Sequence, residues 1–163
     1  MADDLGQNLI ASEYALVKLE QQLAVLRRCG AKCLPGQVQR RRRIYIAGPY
    51  TKGDVAVNVR KAIEAGTRLL EKGYAPFVPH LTHFWHMLFP QDYPVWIDLD
   101  AQFVPVCDAV LRLPGESSGA DEEAALAEKL GIPIYYNEEE LIVKEPPMVC
   151  LTVPDPGHTS QGT

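Results

Sequence analysis

Apolar positions follow two different periods along the central part of the chain. Short apolar runs of strand length alternate with longer segments whose apolar residues recur at helical spacing. The predicted strands are 44–47, 74–78, 108–113 and 132–136. The predicted helices are 55–72, 94–106 and 120–130, with a final helical turn at 138–143. This alternation predicts an α/β domain of the Rossmann or flavodoxin type, with a parallel sheet of four to five strands and helices on both faces.

The two ends of the chain differ from this central domain. Residues 5–28 carry leucines at heptad spacing and are predicted to form an N-terminal amphipathic helix, with 1–40 as helix plus basic linker. The basic run 40–43 is interpreted as a solvated linker rather than a phosphate contact. The α/β domain is predicted to span 44–143. Residues 144–163 are rich in Pro, Gly, Ser and Thr, which predicts a disordered tail.

Charge and cysteine content exclude several classes of function. The net charge of −5 argues against binding to a nucleic acid polymer. Four cysteines show neither a disulfide framework nor zinc spacing, so a cytoplasmic protein is expected. Acidic residues stand where a signal peptide would carry positive charge. No apolar run reaches the length of a membrane span, so no membrane partner is expected.

The predicted sheet brings its candidate chemistry to one edge. In parallel α/β folds, ligands bind at the carboxyl ends of the strands, here the segments 48–53, 79–86 and 115–123. The last of these joins a strand to a helix through Ser117-Ser118-Gly119. Its backbone N–H groups and hydroxyls suit an anionic or sugar-containing ligand.

Helical periodicity distinguishes the carboxylates that point inward from their neighbours. Asp100 lies at the edge of the apolar stripe of its helix, whereas Asp98 points away. Glu123 shares the inner face of the next helix, whereas Glu122 lies at its rim. Asp100 is either a functional acid or a hydrogen-bonded structural residue, and Glu123 is either a nucleophile or a capping acid. The helix dipole is expected to keep Glu123 ionised.

Two further sets of side chains belong to the same region. His80, His83 and His86 are spaced by three, yet no carboxylate or cysteine joins them, so ligand contacts or packing are favoured over a metal. Tyr45 lies inside the first strand of the domain. Its hydroxyl needs a partner if it is buried, and Glu123 across the sheet is the candidate.

Between Ile44 and Tyr136 the chain resembles the nucleoside 2-deoxyribosyltransferase superfamily, including the 2′-deoxynucleoside 5′-phosphate N-hydrolases. It looks most like small members that open with a Tyr-Ile-Ala-Gly-Pro motif. The matching residues are Tyr45-Ile46-Ala47-Gly48-Pro49, Asp100, Cys107-Asp108-Ala109, Leu113-Pro114-Gly115, Ser117-Ser118-Gly119-Ala120 and Glu123. The resemblance implies cleavage of the N-glycosidic bond of a nucleoside or nucleoside 5′-monophosphate, by hydrolysis or base exchange.

The resemblance also implies roles for individual residues. Glu123 would be the nucleophile, Asp100 would act on the leaving base, and Tyr45 would orient the nucleophile. Ser117 would indicate a 5′-phosphate, although Pro49-Tyr50-Thr51-Lys52 stands where the hydrolases carry Ser and Arg. Substrate contacts are expected from Gly48, Pro49, Thr51, His80, Ser117, Ser118 and Gly119. No metal or organic cofactor is implied, and a homo-oligomer is expected.

Two other functions stay open at this point. One is a phosphoribohydrolase of the cytokinin-activating type, whose Pro-Gly-Gly-x-Gly-Thr-x-x-Glu loop is partly matched by Pro114-Gly115 and 119–123. The other is a non-catalytic nucleotide-binding module. Release of free base from a bound nucleotide separates the enzymes from the module.

Overall fold

The computed structural model of the chain describes residues 37–152. The predicted helix over 5–28 and residues 153–163 lie outside the described residues. The strands are β1 Gln37–Arg41, β2 Arg43–Ala47, β3 Ala75–Phe77, β4 Ala109–Arg112, β5 Ile134–Tyr135 and β6 Met148–Thr152. The helices are α1 Val55–Glu71, α2 Thr82–Leu88, α3 Tyr93–Phe103, α4 Ser118–Lys129 and α5 Glu138–Lys144, with short 3-10 turns at Pro79–Leu81 and Val104–Val106.

Four of these strands form a parallel sheet in the order β3-β2-β4-β5. Strands β2 and β4 are central, and Ile46 pairs with Leu111 in their register. Taken along the chain, the first strand of this sheet lies between the second and the third, which is the flavodoxin-like arrangement. The chain order reverses between β2 and β4, and ligands bind beside such a switch point in open α/β sheets. The predicted α/β fold class is confirmed.

The side chains of β2 alternate between two cores because successive residues of a strand face opposite ways. Ile44 and Ile46 pack with α1 and α5 on one face of the sheet. Tyr45 and Ala47 pack with Ala127 of α4 on the other face. These four residues are fully buried, whereas Arg43 at the start of β2 is exposed. Tyr45 therefore points toward α3 and α4, which supply the candidate carboxylates.

Several predicted boundaries differ from the observed ones. The helix predicted over 94–106 ends at Phe103, and a 3-10 turn follows because Pro105 cannot donate a helical hydrogen bond. Val106, the last residue of the predicted helix, lies in this turn and is exposed. Residues 148–152 form a strand paired with β1 in a separate two-stranded sheet, so the predicted disorder does not extend over them.

The basic run at the entry to β2 is not a solvated linker. Both terminal nitrogens of Arg40 lie 2.6 Å from the two oxygens of Asp108. The Asp108 carboxylate also accepts a hydrogen bond from the backbone N–H of Arg43. Arg42 forms an ion pair with Glu145 in which both side chains are largely buried. The Asp108 contacts hold the start of β2 against the start of β4, and the Glu145 pair holds it against the end of α5. Within residues 37–152, none of the helices combines the length and the apolar character needed to cross a bilayer.

Candidate active site

A cavity of about 280 Å³ opens at the carboxyl ends of β2 and β4, beside the switch point of the sheet. Its lining comes from the loops after these two strands, the 3-10 turn at Pro79–Leu81, α2, α3 and the start of α4. Its lining includes eight of the residues predicted from the sequence, which are Gly48, Thr51, His80, Asp100, Ser117, Ser118, Gly119 and Glu123. The structure therefore brings together residues from four separate parts of the chain.

Glu123, which lines this cavity, contacts Tyr45, which lies behind it in β2. Ser117 begins α4 by accepting a hydrogen bond from the backbone N–H of Ala120, and this start places Glu123 in the second turn on the inner face. The Tyr45 hydroxyl, which is fully buried, donates to Glu123 Oε1 across 2.8 Å. The predicted partner of Tyr45 is confirmed.

The protonation state expected for Glu123 from the helix dipole is wrong for this structure. Burial raises the pKa of Glu123 to about 8, and the nearby charges of Asp100 and Glu122 raise it too. The hydrogen bond from Tyr45 and the charge of Arg112 act in the opposite direction but do not cancel the effect of burial. A helix terminus contributes only modestly, whereas removing a carboxylate from water costs far more.

Asp100 enters the site from α3. Its side chain is buried, its Oδ1 atom has no hydrogen-bond partner within residues 37–152, and burial raises its pKa to about 6. Asp98 and Glu122 are exposed, so the predicted choice of inward-pointing carboxylates is confirmed. A buried oxygen without a partner is costly. Oδ1 of Asp100 is therefore an acceptor that no other described residue uses.

Arg112 shapes the loop between β4 and α4. This buried guanidinium donates to the carbonyl oxygens of Leu113 and, at 2.9 Å, Gly115, and it lies 2.8 Å from Asp121 of α4. Gly115 has a φ of +115°, and a Cβ atom there would lie 2.8 Å from the ring of Pro49. A glycine is required at this turn on both counts. The loop is thus held from inside by one charged side chain.

Tyr93 and Ile97 of α3 are cavity residues that the sequence reasoning missed. A Cβ atom at Gly119 would lie 2.8 Å from the Tyr93 hydroxyl and 3.4 Å from Ile97 Cδ1. The close packing of α3 on the start of α4 therefore depends on Gly119. The missed signal is the spacing of 93, 97 and 100, which places all three on one face of a helix.

The three histidines have separate partners. His80 Nε2 lies 3.0 Å from the carbonyl oxygen of Pro49, which can only accept, so this nitrogen carries the proton. His83 Nδ1 lies 2.9 Å from the Tyr50 hydroxyl, and His86 Nδ1 accepts from the Trp96 indole at 3.0 Å. Burial lowers the pKa of His80. No group of three or more His, Cys, Asp or Glu side chains within 37–152 is arranged to hold a metal ion.

One predicted substrate contact lies elsewhere. Pro49 is absent from the lining of this cavity; its carbonyl holds His80 and its ring packs against Gly115. Tyr45 lies below the cavity and reaches it only through Glu123. His83 and His86, for which ligand contacts or packing were favoured, also line the cavity, and further lining comes from residues that include Tyr50, Lys52, Gln91 and Trp96.

Comparisons with known proteins place the chain in a family. A solved structure described as a 2-deoxyribosyltransferase from the psychrotolerant bacterium Bacillus psychrosaccharolyticus aligns with a TM-score of 0.42 and 20% identity, over 56% of this chain and 69% of that one. This weak likeness establishes nothing about the present activity. A search of curated proteins finds no match. The family model described as "Domain of unknown function (DUF7768)" matches residues 42–137, and the chain belongs to that family.

Proposed function

We propose that this protein cleaves the N-glycosidic bond of a nucleoside or nucleoside 5′-monophosphate through a covalent intermediate on Glu123. The observation that carries the proposal is the Tyr45–Glu123 hydrogen bond at the wall of a cavity that also contains a buried, partly unpartnered Asp100. Paired carboxyl groups on facing elements suit glycosidic chemistry, in which one carboxylate attacks and the other group handles the proton.

In the first step one carboxyl group acts as the nucleophile and the other as the general acid. An oxygen of ionised Glu123 forms a bond to C1′ as the C1′–N bond breaks, and the electron pair of that bond leaves with the base nitrogen. Asp100, protonated, gives its proton to the departing base. Tyr45 holds Oε1 of Glu123 through its hydroxyl and leaves Oε2 for attack on the sugar.

The second step returns the protein to its starting state. A water molecule attacks C1′ and its proton passes to the ionised Asp100, while the bond between C1′ and Glu123 breaks and the electron pair returns to the carboxylate. When a second base occupies the place of water, the same step gives base exchange. Neither step requires a group outside these side chains, the substrate and water.

Base release measured with Glu123→Ala and Glu122→Ala tests the proposal. Both variants lose a glutamate from the same turn of α4, yet only Glu123 lines the cavity and Glu122 is exposed. Purified proteins are incubated with a panel of nucleosides and 5′-monophosphates, with and without an acceptor base, and free base is followed by chromatography. Loss of base release in Glu123→Ala alone supports the proposal. Equal activity of Glu123→Ala and the wild-type protein would remove it.

A second experiment looks for the intermediate itself. The wild-type protein is acid-quenched during turnover and its intact mass is measured. A mass increase equal to one sugar unit, absent in Glu123→Ala, identifies the covalent step. Base release without any adduct in a protein trapped at saturating substrate would favour direct attack by water.

A non-catalytic nucleotide-binding module is the second candidate, and the raised pKa of Glu123 favours it. With a pKa of about 8, most of the protein carries a neutral Glu123 at pH 7, and a neutral carboxyl group donates a hydrogen bond to a ligand. Calorimetric binding of a nucleoside without release of base from any member of the panel would favour this candidate over the enzyme.

A further inference from the structure

An ion pair joins the two loops that flank the cavity mouth. Lys52, in the loop after β2, donates from Nζ to Glu116 Oε2 in the loop after β4 at a distance of 2.8 Å. Lys52 lines the cavity, and both side chains of the pair are exposed. The positive charge that a ligand would meet at this mouth is therefore accompanied by a carboxylate.

The charged side chains of the remaining lining do not favour an anion, so its donors are the neutral hydroxyl and backbone N–H groups at Ser117-Ser118-Gly119. Lys52 is the one lysine or arginine among the described residues that line the cavity, whereas Asp100 and Glu123 are two carboxyl groups within it. His80 adds no positive charge, because burial lowers its pKa and its Nε2–H already binds the Pro49 carbonyl. The Ser117 hydroxyl oxygen accepts from the Ala120 backbone N–H at the helix cap, 3.2 Å away, and its O–H is a neutral donor that adds no positive charge.

A phosphate group would meet these charges directly. At pH 7 a phosphate monoester carries about −1.5 to −2 charges, and proteins usually hold it with several cationic or backbone donors. Exposed ion pairs are weak, so Lys52 can turn from Glu116 to a phosphate at small cost. The Glu116 carboxylate would then stay unpaired beside that phosphate. An uncharged 5′-hydroxyl meets no such repulsion.

The orientation of the ligand follows from where the reacting atoms must lie. C1′ has to reach Glu123 and Asp100, which come from α4 and α3. In the proposed orientation the base contacts Tyr93 and Trp96, two aromatic residues of the lining. This leaves the 5′ end of the sugar toward the loop after β2, where Lys52 lies.

We propose that the cavity takes an uncharged nucleoside in preference to its 5′-monophosphate, with the Lys52–Glu116 pair as the determinant of this preference. The inference rests on the proposed function and names its substrate class. It departs from the 5′-phosphate that Ser117 indicates in the sequence.

The test measures binding separately from turnover. Calorimetry with the full-length protein gives the Kd values of 2′-deoxyadenosine, thymidine and their 5′-monophosphates, and chromatography follows base release from each. The wild-type protein is expected to bind the nucleosides about tenfold tighter than the monophosphates. Glu116→Gln, which frees Lys52, is expected to reduce this ratio roughly tenfold. Glu128→Gln makes the same change of charge on the exposed side of α4, and it should leave the ratio as in the wild-type protein.

The outcomes separate this inference from the proposed reaction. Tighter binding of the monophosphates by the wild-type protein overturns the inference. A ratio of Kd values that does not change in Glu116→Gln also overturns it, and would point to backbone donors of α4 as the phosphate site. Preferential binding of nucleosides without release of base supports the inference and contradicts the proposed reaction. Base release confined to monophosphates removes the inference alone. Failure of all four ligands to bind removes both.

Discussion

The Tyr45 hydroxyl donates a hydrogen bond of 2.8 Å to Glu123 Oε1, and this contact links the central strand of the sheet to the helix that carries the candidate nucleophile. Neighbouring aromatic side chains hold the Tyr45 ring in place. Tyr45 stacks on Phe77 with ring centroids 5.6 Å apart, and Phe77 stacks on Phe103 at 4.2 Å. The packing fixes the tyrosine ring and thereby the position of the carboxylate.

Replacement of Tyr45 by Phe should weaken catalysis more than folding. The hydroxyl stabilises the ionised form of Glu123, so its loss should raise the Glu123 pKa further and leave a buried carboxyl oxygen without its donor. Hydrogen bonds to charged groups contribute about 1.5–3 kcal/mol, which corresponds to a loss of roughly 10- to 100-fold in kcat/KM. Steady-state base release from the best substrate of the panel measures the effect.

Tyr135→Phe is the matched control for this experiment. Tyr135 is also buried and donates to a glutamate, Glu145, at 2.8 Å, but it packs in the core cluster on the opposite face of the sheet. We expect Tyr135→Phe to lower thermal stability and to retain wild-type kcat/KM. Similar kinetic losses in both variants would contradict a specific role for Tyr45.

The pH dependence of the reaction should be a plateau rather than a narrow peak. The reaction needs Glu123 ionised and Asp100 protonated, yet their pKa values are about 8 and about 6. At any pH between these two values, about one protein molecule in a hundred carries both an ionised Glu123 and a protonated Asp100. Outside this range the fraction is smaller. We expect kcat/KM to rise up to pH 6, stay level, and fall above pH 8.

Asp100→Asn assigns the two limbs of this profile. Without the ionisation of Asp100, the slower reaction of the variant should rise until Glu123 is ionised, so the rising limb should move from about pH 6 toward pH 8. Asp98→Asn, an exposed position on the same helix, should keep the wild-type profile. A rising limb that stays at pH 6 in Asp100→Asn would contradict this assignment.

The parallel sheet and most of its helices could be predicted from the sequence because these elements have a strong period of their own, whereas α2, β1 and β6 were not predicted. The inward positions of Asp100 and Glu123 followed from helical spacing, and the Tyr45–Glu123 contact followed from the need of a buried hydroxyl for a partner. These are local rules that act over one or two turns or between adjacent layers.

The parts that could not be predicted depend on contacts between distant segments. The pKa of Glu123 follows from burial by residues far away in the chain, so the local helix dipole gave the wrong protonation state. Tyr93 reaches the site only because Gly119 allows α3 and α4 to approach. The Lys52–Glu116 pair spans 64 positions of the sequence, and a charge pattern read along the chain does not show it.

Gly119→Ala tests the approach of α3 to α4. The new methyl group would lie 2.8 Å from the Tyr93 hydroxyl, which is the far end of a side chain and can move if its hydrogen bond with Ser118 gives way. We expect a small loss of thermal stability and a several-fold rise in KM, because Tyr93 is displaced into the cavity it lines. Kinetics and thermal unfolding of the variant measure the two effects.

Tyr93→Phe in the Gly119→Ala background identifies the clash. Removal of the hydroxyl makes room for the methyl group, so KM of the double variant should return toward that of Tyr93→Phe alone. If the effects of the two single changes on KM simply combine in the double variant, Gly119 acts through something other than Tyr93.

Glu123→Gln should stabilise the protein at alkaline pH. In the unfolded chain Glu123 loses its proton near pH 4.5, whereas in the folded protein it keeps the proton up to about pH 8. Between these values the folded state binds more protons, so the contribution of Glu123 to the free energy of unfolding falls as the pH rises through this window. Glutamine carries no charge at any pH and avoids this loss, and its side-chain oxygen can still accept from Tyr45.

Thermal unfolding is measured at pH 5 and pH 8.5. At pH 8.5 the Tm of Glu123→Gln should be higher than that of the wild-type protein, and at pH 5 the difference should be smaller. The exposed Glu122→Gln should give no such dependence. An equal change in Tm at both pH values would show that Glu123 is already ionised in the folded protein, and that its position at the start of α4 outweighs its burial.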